Sequence, residues 1–147
     1  MLEYNCRFGD PETQAVLPRL RSDLLDLLER CTRPGGLEGV KLEWSSAWAV
    51  TVVLSSRGYP ESASTGDEIT GLRAIDSLET EVLHAGTAED NGRLVTAGGR
   101  VLNVTGIGSS PAEARDRAYV AANRIEFDGK QFRSDIAAQA VLEYAEV

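Results

Sequence analysis

The sequence has one histidine and two cysteines in 147 residues, namely His84, Cys6 and Cys31. No Cys-x-x-Cys pair occurs, and a structural zinc site needs about four nitrogen or sulfur ligands at close spacing. The sequence therefore argues against a zinc centre. Isolated cysteines among apolar residues are typical of small core side chains in a reducing compartment, so we expect free, buried thiols and a strand histidine without a metal.

Long apolar runs are also missing. No stretch approaches the roughly 20 apolar residues that a membrane-spanning helix needs. Charged residues interrupt the first 21 positions at Arg7, Asp10, Glu12, Arg19 and Arg21, so we expect no secretory signal there. We expect a soluble, cytoplasmic protein.

Positive charge is scarce: 15 Lys and Arg stand against 23 Asp and Glu, for a formal net charge of -8. An acidic surface repels nucleic acid and anionic lipid, so neither is an expected partner. A nucleotide bound through magnesium remains compatible with this charge. With 42% hydrophobic residues, the chain is long enough to fold around a core of its own.

The first third of the chain predicts a strand and a helix. Apolar and polar residues alternate over residues 2–8, which indicates a half-buried strand. Asp10 and Pro11 suit the start of a helix, and leucines at helical spacing continue it to Cys31. Because the strand pattern begins immediately after Met1, we expect the chain to be part of a longer protein.

The remainder predicts an α+β fold with a mainly antiparallel sheet packed by helices. Residues 33–47 form a predicted linker, which separates residues 1–32 from a C-terminal domain at residues 48–147. Residues 48–54 indicate a buried strand. Further short strands are predicted at 67–72, 80–85, 92–96 and 100–106.

A helix is predicted after Ser110, where Ser110-Pro111-Ala112-Glu113 has the pattern of a capping box with proline in the first turn. Its apolar stripe is predicted to comprise Ala114, Ala118, Val120, Ala121 and Ile125. Phe127-Asp128-Gly129 is expected to end this helix. A last helix is expected at about residues 136–144.

Candidate chemistry lies on the polar face of the first strand. Glu3 and Asn5, at i and i+2, offer a carboxylate and an amide oxygen, which are ligands that magnesium accepts. Arg7 follows on the same face and can bind a phosphate or an acyl phosphate. By pattern alone, the exposed polar face of an edge strand is the favoured explanation of these three residues.

A set of motifs favours the functional interpretation. The set begins with Leu2-Glu3-Tyr4-Asn5-Cys6-Arg7-Phe8-Gly9-Asp10-Pro11-Glu12-Thr13-Gln14. It continues with Gly58-Tyr59-Pro60, residues 66–72, His84-Ala85-Gly86-Thr87, Gly98-Gly99-Arg100-Val101-Leu102, Ala112-Glu113-Ala114, Ala118-Tyr119 and Arg133-Ser134-Asp135-Ile136. In content and order this set resembles the C-terminal portion of phosphoribosylamine–glycine ligases, which are ATP-grasp enzymes. The chain departs from that family at Ala137, where many members have glycine.

The resemblance implies an activity, a metal and a fold. The family ligates glycine to 5-phosphoribosylamine with ATP through glycyl phosphate, in purine biosynthesis. Glu3 and Asn5 match ligands of Mg²⁺ or Mn²⁺, and Arg7 matches an arginine facing the reacting phosphoryl group. Residues 1–32 would be the last strand and helix of the ATP-grasp domain. The nucleotide-binding parts are absent, so we expect the isolated chain to be inactive.

Four further residues are candidate substrate contacts: Asp10, Glu12, Gly99 and Arg100. The carboxylates of Asp10 and Glu12 could hold a substrate ammonium group, but for Asp10 the sequence favours a helix cap, and Glu12 stays open. Gly99 and Arg100 could approach a phosphate, or could form a tight hairpin turn between two strands.

Several residues have a structural interpretation that competes with function. Arg133 and Asp135 are expected to form a buried or domain-docking ion pair. Trp44 and Trp48 are expected to pack the start of the sheet domain. Tyr59 could face a ligand cleft, but its Gly-Tyr-Pro turn accounts for it without one.

Two alternatives remain open for the whole chain. One is a non-catalytic binding or interaction module that retains the sheet domain. The other is a fragment of a different ATP-grasp ligase, such as part of a biotin-dependent carboxylase; such enzymes share the Glu-x-Asn-x-Arg pattern but not the motifs after Arg7. Whatever the function of the chain, the strand at residues 2–8 could be left with an unpaired edge that promotes self-association.

Overall fold

The computed structural model describes residues 6–75 and 79–145. In this part of the chain four α-helices and five β-strands are present. They are α1 (Glu12–Val16), α2 (Leu24–Cys31), β1 (Trp48–Ser55), β2 (Thr80–His84), β3 (Thr87–Asp90), β4 (Arg93–Thr96), β5 (Arg100–Gly108), α3 (Pro111–Arg124) and α4 (Ala138–Ala145). Short 3-10 helices occupy Leu17–Arg19 and Leu72–Ile75.

The main sheet has three antiparallel strands in the order β1-β5-β2, so β5 is central. Val52 and Val82 both pair with Val104 of β5, one from each side. Strands β3 and β4 form a separate hairpin. Its turn residues, Asn91 and Gly92, have positive φ values of 50° and 76°, as the favoured two-residue hairpin turn requires. The predicted mixture of helices with antiparallel sheet is confirmed.

The core lies between one face of this sheet and α3. Alternation along β1 and β5 directs Val52, Leu54, Leu102 and Val104 to this face, and all four are fully buried. Helix α3 covers them with four fully buried alanines, Ala114, Ala118, Ala121 and Ala122. Small side chains on the helix allow its backbone to approach the sheet closely.

Two glycines of β5 make that approach possible. A Cβ atom at Gly106 would overlap the carbonyl oxygen of Ala114 and lie 2.5 Å from the amide nitrogen of Ala118. A Cβ atom at Gly108 would lie 2.6 Å from the amide nitrogen of Ala114. The first two turns of α3 therefore rest directly on the backbone of β5.

The predicted capping box of α3 is confirmed in its main bond, because Ser110 Oγ accepts a hydrogen bond from the Glu113 amide at 3.2 Å. The Glu113 carboxylate reaches back to the hydroxyl and amide of Ser109, each at 2.6 Å. These bonds hold the pKa of Glu113 below its usual value. The predicted stripe is wrong at Val120, which is 44% exposed. The helix ends at Arg124, before the predicted Phe127-Asp128-Gly129 stop.

The single helix predicted up to Cys31 is wrong, since the structure divides it. Helix α1 ends at Val16, the chain continues through the 3-10 turn that contains Pro18, and Leu20 is extended. Proline supplies no amide hydrogen to continue the helix. Asp23 caps the second helix by accepting from the Asp26 amide at 3.1 Å. Asp10 is not a cap, because α1 has Pro11 at that position and no side-chain cap bond.

One strand prediction is wrong, and so is one of the two interpretations of the loop at residues 98–100. Residues 67–72 form no strand; Glu68 makes one bridge to Val95 and Thr70 one bridge to Glu126. Residues 98–100 do not form a hairpin turn between paired strands, because β4 pairs with β3 whereas β5 pairs with β1 and β2. The loop at 98–100 instead carries the chain from one sheet to the other.

The cysteines also differ from expectation, because Cys6 and Cys31 are free but exposed rather than buried. Trp44 and Trp48 are 46% and 36% exposed, and Trp48 makes an edge-on contact with Tyr144 at 5.6 Å between ring centroids. In the described ranges, no helix is long and apolar enough to cross a membrane.

Replacing Gly106 with alanine tests the contact between α3 and β5. The added methyl group would force the helix away from the sheet, so we expect Gly106→Ala to lower the free energy of unfolding by about 2 kcal/mol or more, measured by urea denaturation. Gly98→Ala is the matched control, because its Cβ would meet just one atom, the Gly86 Cα at 3.2 Å. Equal losses in the two variants would contradict this account of the packing.

Ala137, where the sequence departs from the resemblance, has a φ of 59°. This left-handed conformation strains alanine but not glycine. We expect Ala137→Gly to raise the free energy of unfolding by roughly 0.5–1 kcal/mol, after the larger entropy of the unfolded glycine chain is subtracted. Ala138→Gly, one residue further in α4, should instead lower it. A loss of stability in both variants would contradict the strain argument.

Candidate functional site

The segment at residues 6–19 lies on the face of the main sheet opposite α3. Thr51 and Thr105 alternate with the core residues and so point to this face; their hydroxyl oxygens are 2.7 Å apart. The Thr105 hydroxyl donates to the backbone oxygen of Gln14 at 3.2 Å, which joins α1 to β5. The loop before α1, which contains several of the candidate residues, is thereby brought to the sheet.

Asp10 and Arg100, both candidate substrate contacts from the sequence, meet across 90 residues of chain. Arg100 donates from Nη1 to the Asp10 backbone oxygen at 2.9 Å, and its Nη2 lies 3.2 Å from Asp10 Oδ2. The other carboxylate oxygen accepts from Gln14 Nε2 at 2.9 Å. Both oxygens of Asp10 are thus engaged within the protein.

A cleft of about 590 Å³ opens beside this pair. Its lining includes Pro11, Tyr59, Arg100, Gln131 and Arg133. It therefore brings together residues from the loop before α1, the turn after β1, the start of β5 and the segment after α3. Tyr59 faces a cleft, as one of the two interpretations of its motif allowed.

Gly99 forms part of the wall behind Tyr59. A Cβ at Gly99 would lie 2.5 Å from the Tyr59 ring, so close packing alone accounts for a glycine here. The Gly99 carbonyl accepts from the Ser56 amide at 2.9 Å, which fixes the entry to β5. This loop sets the direction from which Arg100 reaches Asp10.

Arg133 and Asp135 form a bidentate ion pair, with nitrogen–oxygen distances of 2.9 and 2.7 Å. Their side chains are 73% and 63% exposed, so the buried form of the expected pair is wrong, whereas the domain-docking form stays a prediction. Hydrogen bonding from Arg133 lowers the pKa of the Asp135 carboxyl. Behind the pair, the Tyr119 hydroxyl donates to the Arg133 backbone oxygen at 2.7 Å and accepts from the Ile136 amide at 3.1 Å.

Arg7 and Glu12 lie on either side of residues 8–11, which we call the Asp10 loop. Arg7 is exposed, and its Nη1 donates to the Phe8 backbone oxygen at 2.7 Å. The Glu12 carboxylate turns back over Gly9, where an added Cβ would lie 2.5 Å from its Oε2. Among the described residues, no ion pair involves Glu12.

Glu3 and Asn5, the candidate metal ligands, lie outside the described residues. So does most of the predicted strand at residues 2–8, and its described end, residues 6–8, is a bend followed by irregular chain. The expected self-association through that strand therefore stays a prediction. Within the ranges 6–75 and 79–145, no three His, Cys, Asp or Glu side chains cluster in a way that could hold a metal ion.

A second cleft, of about 650 Å³, lies between the same N-terminal segment and β2. Phe8, Gln14, Glu81, Leu83 and His84 contribute to its lining. The His84 ring nitrogen Nδ1 lies 3.1 Å from the Thr87 hydroxyl, as suits a satisfied histidine at the end of a strand. Both clefts thus border the loop that follows Arg7.

Comparison with known proteins identifies the family. The family model described as "Phosphoribosylglycinamide synthetase, C domain" matches residues 49–139. The phosphoribosylamine–glycine ligases of Neisseria meningitidis serogroup A and of Streptomyces coelicolor are each 50% identical to this chain, over 141 and 143 residues. Each match covers 95% of this chain, but 33% and 34% of the ligase.

A solved structure agrees with these sequence matches. The crystal structure of phosphoribosylamine–glycine ligase from Thermotoga maritima superposes with a TM-score of 0.74 and 39% sequence identity. The superposition covers 92% of this chain and 32% of that ligase. The chain thus spans about a third of the length of the relatives it matches. It belongs to the family of phosphoribosylglycinamide synthetase C domains.

Proposed function

We propose that this chain is the C-terminal part of a phosphoribosylamine–glycine ligase, which joins glycine to 5-phosphoribosylamine at the expense of ATP in cytoplasmic purine biosynthesis. The observation that carries the proposal is the 50% identity to such ligases over 95% of the chain. The two clefts beside the Asp10 loop support the proposal. Each is lined both by residues that precede residue 48 and by residues that follow it.

The proposed reaction has two steps. The glycine carboxylate takes the terminal phosphoryl group of ATP, so ADP leaves and glycyl phosphate forms. The amine of 5-phosphoribosylamine then attacks the acyl carbon, phosphate leaves, and the amine loses a proton. Catalysis of this kind depends mainly on positioning and on neutralising phosphate charge.

Arg7 is the residue of this chain that we assign to the transferred phosphoryl group. Its guanidinium is exposed and donates one described hydrogen bond, to the backbone oxygen of Phe8. Its other N–H donors can therefore bind a phosphate. Glu12 is the better candidate for the ammonium group of a substrate, because both oxygens of Asp10 are already engaged.

We assign the metal to Glu3 and Asn5. A carboxylate and an amide oxygen are hard donors that suit Mg²⁺ or Mn²⁺. Such an ion would neutralise negative charge on the phosphates of bound ATP. Because these two residues lie outside the described ranges, the assignment rests on their motif.

The chain should be inactive by itself and active when completed. We expect no glycine-dependent ADP formation from the isolated chain with ATP, 5-phosphoribosylamine and magnesium. A chimera in which this chain replaces its matching third of the N. meningitidis ligase should form ADP and restore growth to a purine auxotroph that lacks the ligase. Turnover by the isolated chain, or a folded chimera without activity, would contradict the proposal.

Variants of the chimera test the assignments of Arg7 and Glu3. We expect Arg7→Ala to lower kcat by about a hundredfold or more, since an electrostatic contact to the transferred group is lost. Glu3→Gln should raise the Mg²⁺ concentration needed for half-maximal activity at least tenfold. Glu29→Gln is the control, because Glu29 pairs with Arg33 on exposed helix α2. If the magnesium dependence of Glu3→Gln were unchanged, the assignment of Glu3 as a metal ligand would be wrong.

A further inference from the structure

A continuous chain of hydrogen bonds joins the Asp10 loop to β5 at two points. Arg100, the first residue of β5, holds both the backbone oxygen and the carboxylate of Asp10. The carboxylate is bonded to Gln14, and the backbone oxygen of Gln14 is bonded to Thr105 of the same strand. Strand β5 therefore fixes both the start of the loop and the helix that follows it.

The contact between Arg100 and Asp10 is partly shielded, with the two side chains 36% and 42% exposed. Arg100 directs two of its nitrogen atoms at one residue, whereas Arg93 on β4 has charged oxygens no closer than 3.7 Å. A guanidinium used in this bidentate way fixes the orientation of its partner as well as attracting it. Arg100 thus has the geometry of a clamp on the loop.

The position of the clamp gives it a consequence for the reaction. Asp10 follows Arg7 by three residues, so at most roughly 10 Å of chain separates their Cα atoms. A displacement of the Asp10 loop is therefore passed to Arg7 and along the chain that precedes it. Misplacing a catalytic group by about 1 Å can lower a rate by about a hundredfold.

We propose that Arg100 is a positioning residue for the ligase reaction. It acts through Asp10 to hold Arg7, and through the chain the proposed metal ligands Glu3 and Asn5, in a fixed position relative to the C-terminal sheet, rather than by contacting a substrate. The inference rests on the proposed function, and it replaces substrate contact as the role of Asp10 and Arg100.

The kinetic test uses the active chimera with Arg100→Gln, Asp10→Asn and the double variant. We expect Arg100→Gln to lower kcat by roughly tenfold to a hundredfold. The KM values for glycine and 5-phosphoribosylamine should stay within about twofold, because neither is contacted by Arg100. The double variant should be no slower than Arg100→Gln, since both changes remove the same link. Arg100→Lys should recover part of the rate, because an ammonium can keep the ion pair without the second hydrogen bond.

Arg93→Gln is the matched control, because it removes an arginine whose ion pairs lie on the β3–β4 hairpin and Glu68. It should leave kcat unchanged. A tenfold or larger rise in KM for one substrate in Arg100→Gln, without a matching change in Asp10→Asn, would assign Arg100 to substrate contact and overturn the proposal. So would independent, multiplying losses in the double variant.

A second measurement needs no activity and uses the chain of 147 residues itself. We expect Arg100→Gln to increase hydrogen–deuterium exchange in residues 9–19 at least tenfold, while exchange in α3 stays as in the parent chain. Unchanged exchange in residues 9–19 would overturn the clamp even if the chimera were inactive. An inactive parent chimera together with increased exchange would instead count against the proposed function and leave the clamp supported.

Discussion

Helix α3 can lie on strand β5 because Gly106 and Gly108 present no side chain to it. The helix places buried alanines over these glycines, so the backbone of α3 contacts the backbone of β5 directly. Van der Waals contacts at this distance are numerous and depend steeply on separation. The position of β5, and with it of Arg100 at one end and Thr105 in the middle, is therefore set by a rigid layer of small residues.

The two faces of the sheet have different roles as a result. The face toward α3 is apolar and supplies the stability of the domain, with Val52, Leu102 and Val104 fully buried. The opposite face carries hydroxyl groups, Thr51 and Thr105, and receives the N-terminal segment through polar bonds. Hydrogen bonds and partly exposed ion pairs contribute less net stability than apolar burial, but they specify orientation. A fixed orientation is also what the role that we propose for Arg7 requires.

Local features were predictable from the sequence, and long-range ones were not. The Ser110 cap and β1 followed from short motifs and from a β-branched run. The break near Pro18 was missed because the leucines keep their helical spacing on both sides of it. Residues 67–72 have the composition of a strand, but their neighbours in the fold offer only single bridges. The resemblance grouped Asp10 with Arg100 as candidates, yet no periodicity predicts that residues 90 apart share a hydrogen bond.

The strand order β1-β5-β2 also constrains how the chain folds. The central strand is the last of the five to be synthesised, so neither edge strand has its partner until residue 108 has emerged. Pairings between residues as distant as Ser55 and Arg100 form slowly, because a long loop must close first. The segment at residues 6–19 precedes all of these strands in the chain, so it can dock on β5 only after β5 has been synthesised. The residues nearest to the proposed chemistry thus leave the ribosome before the strand that holds them in place.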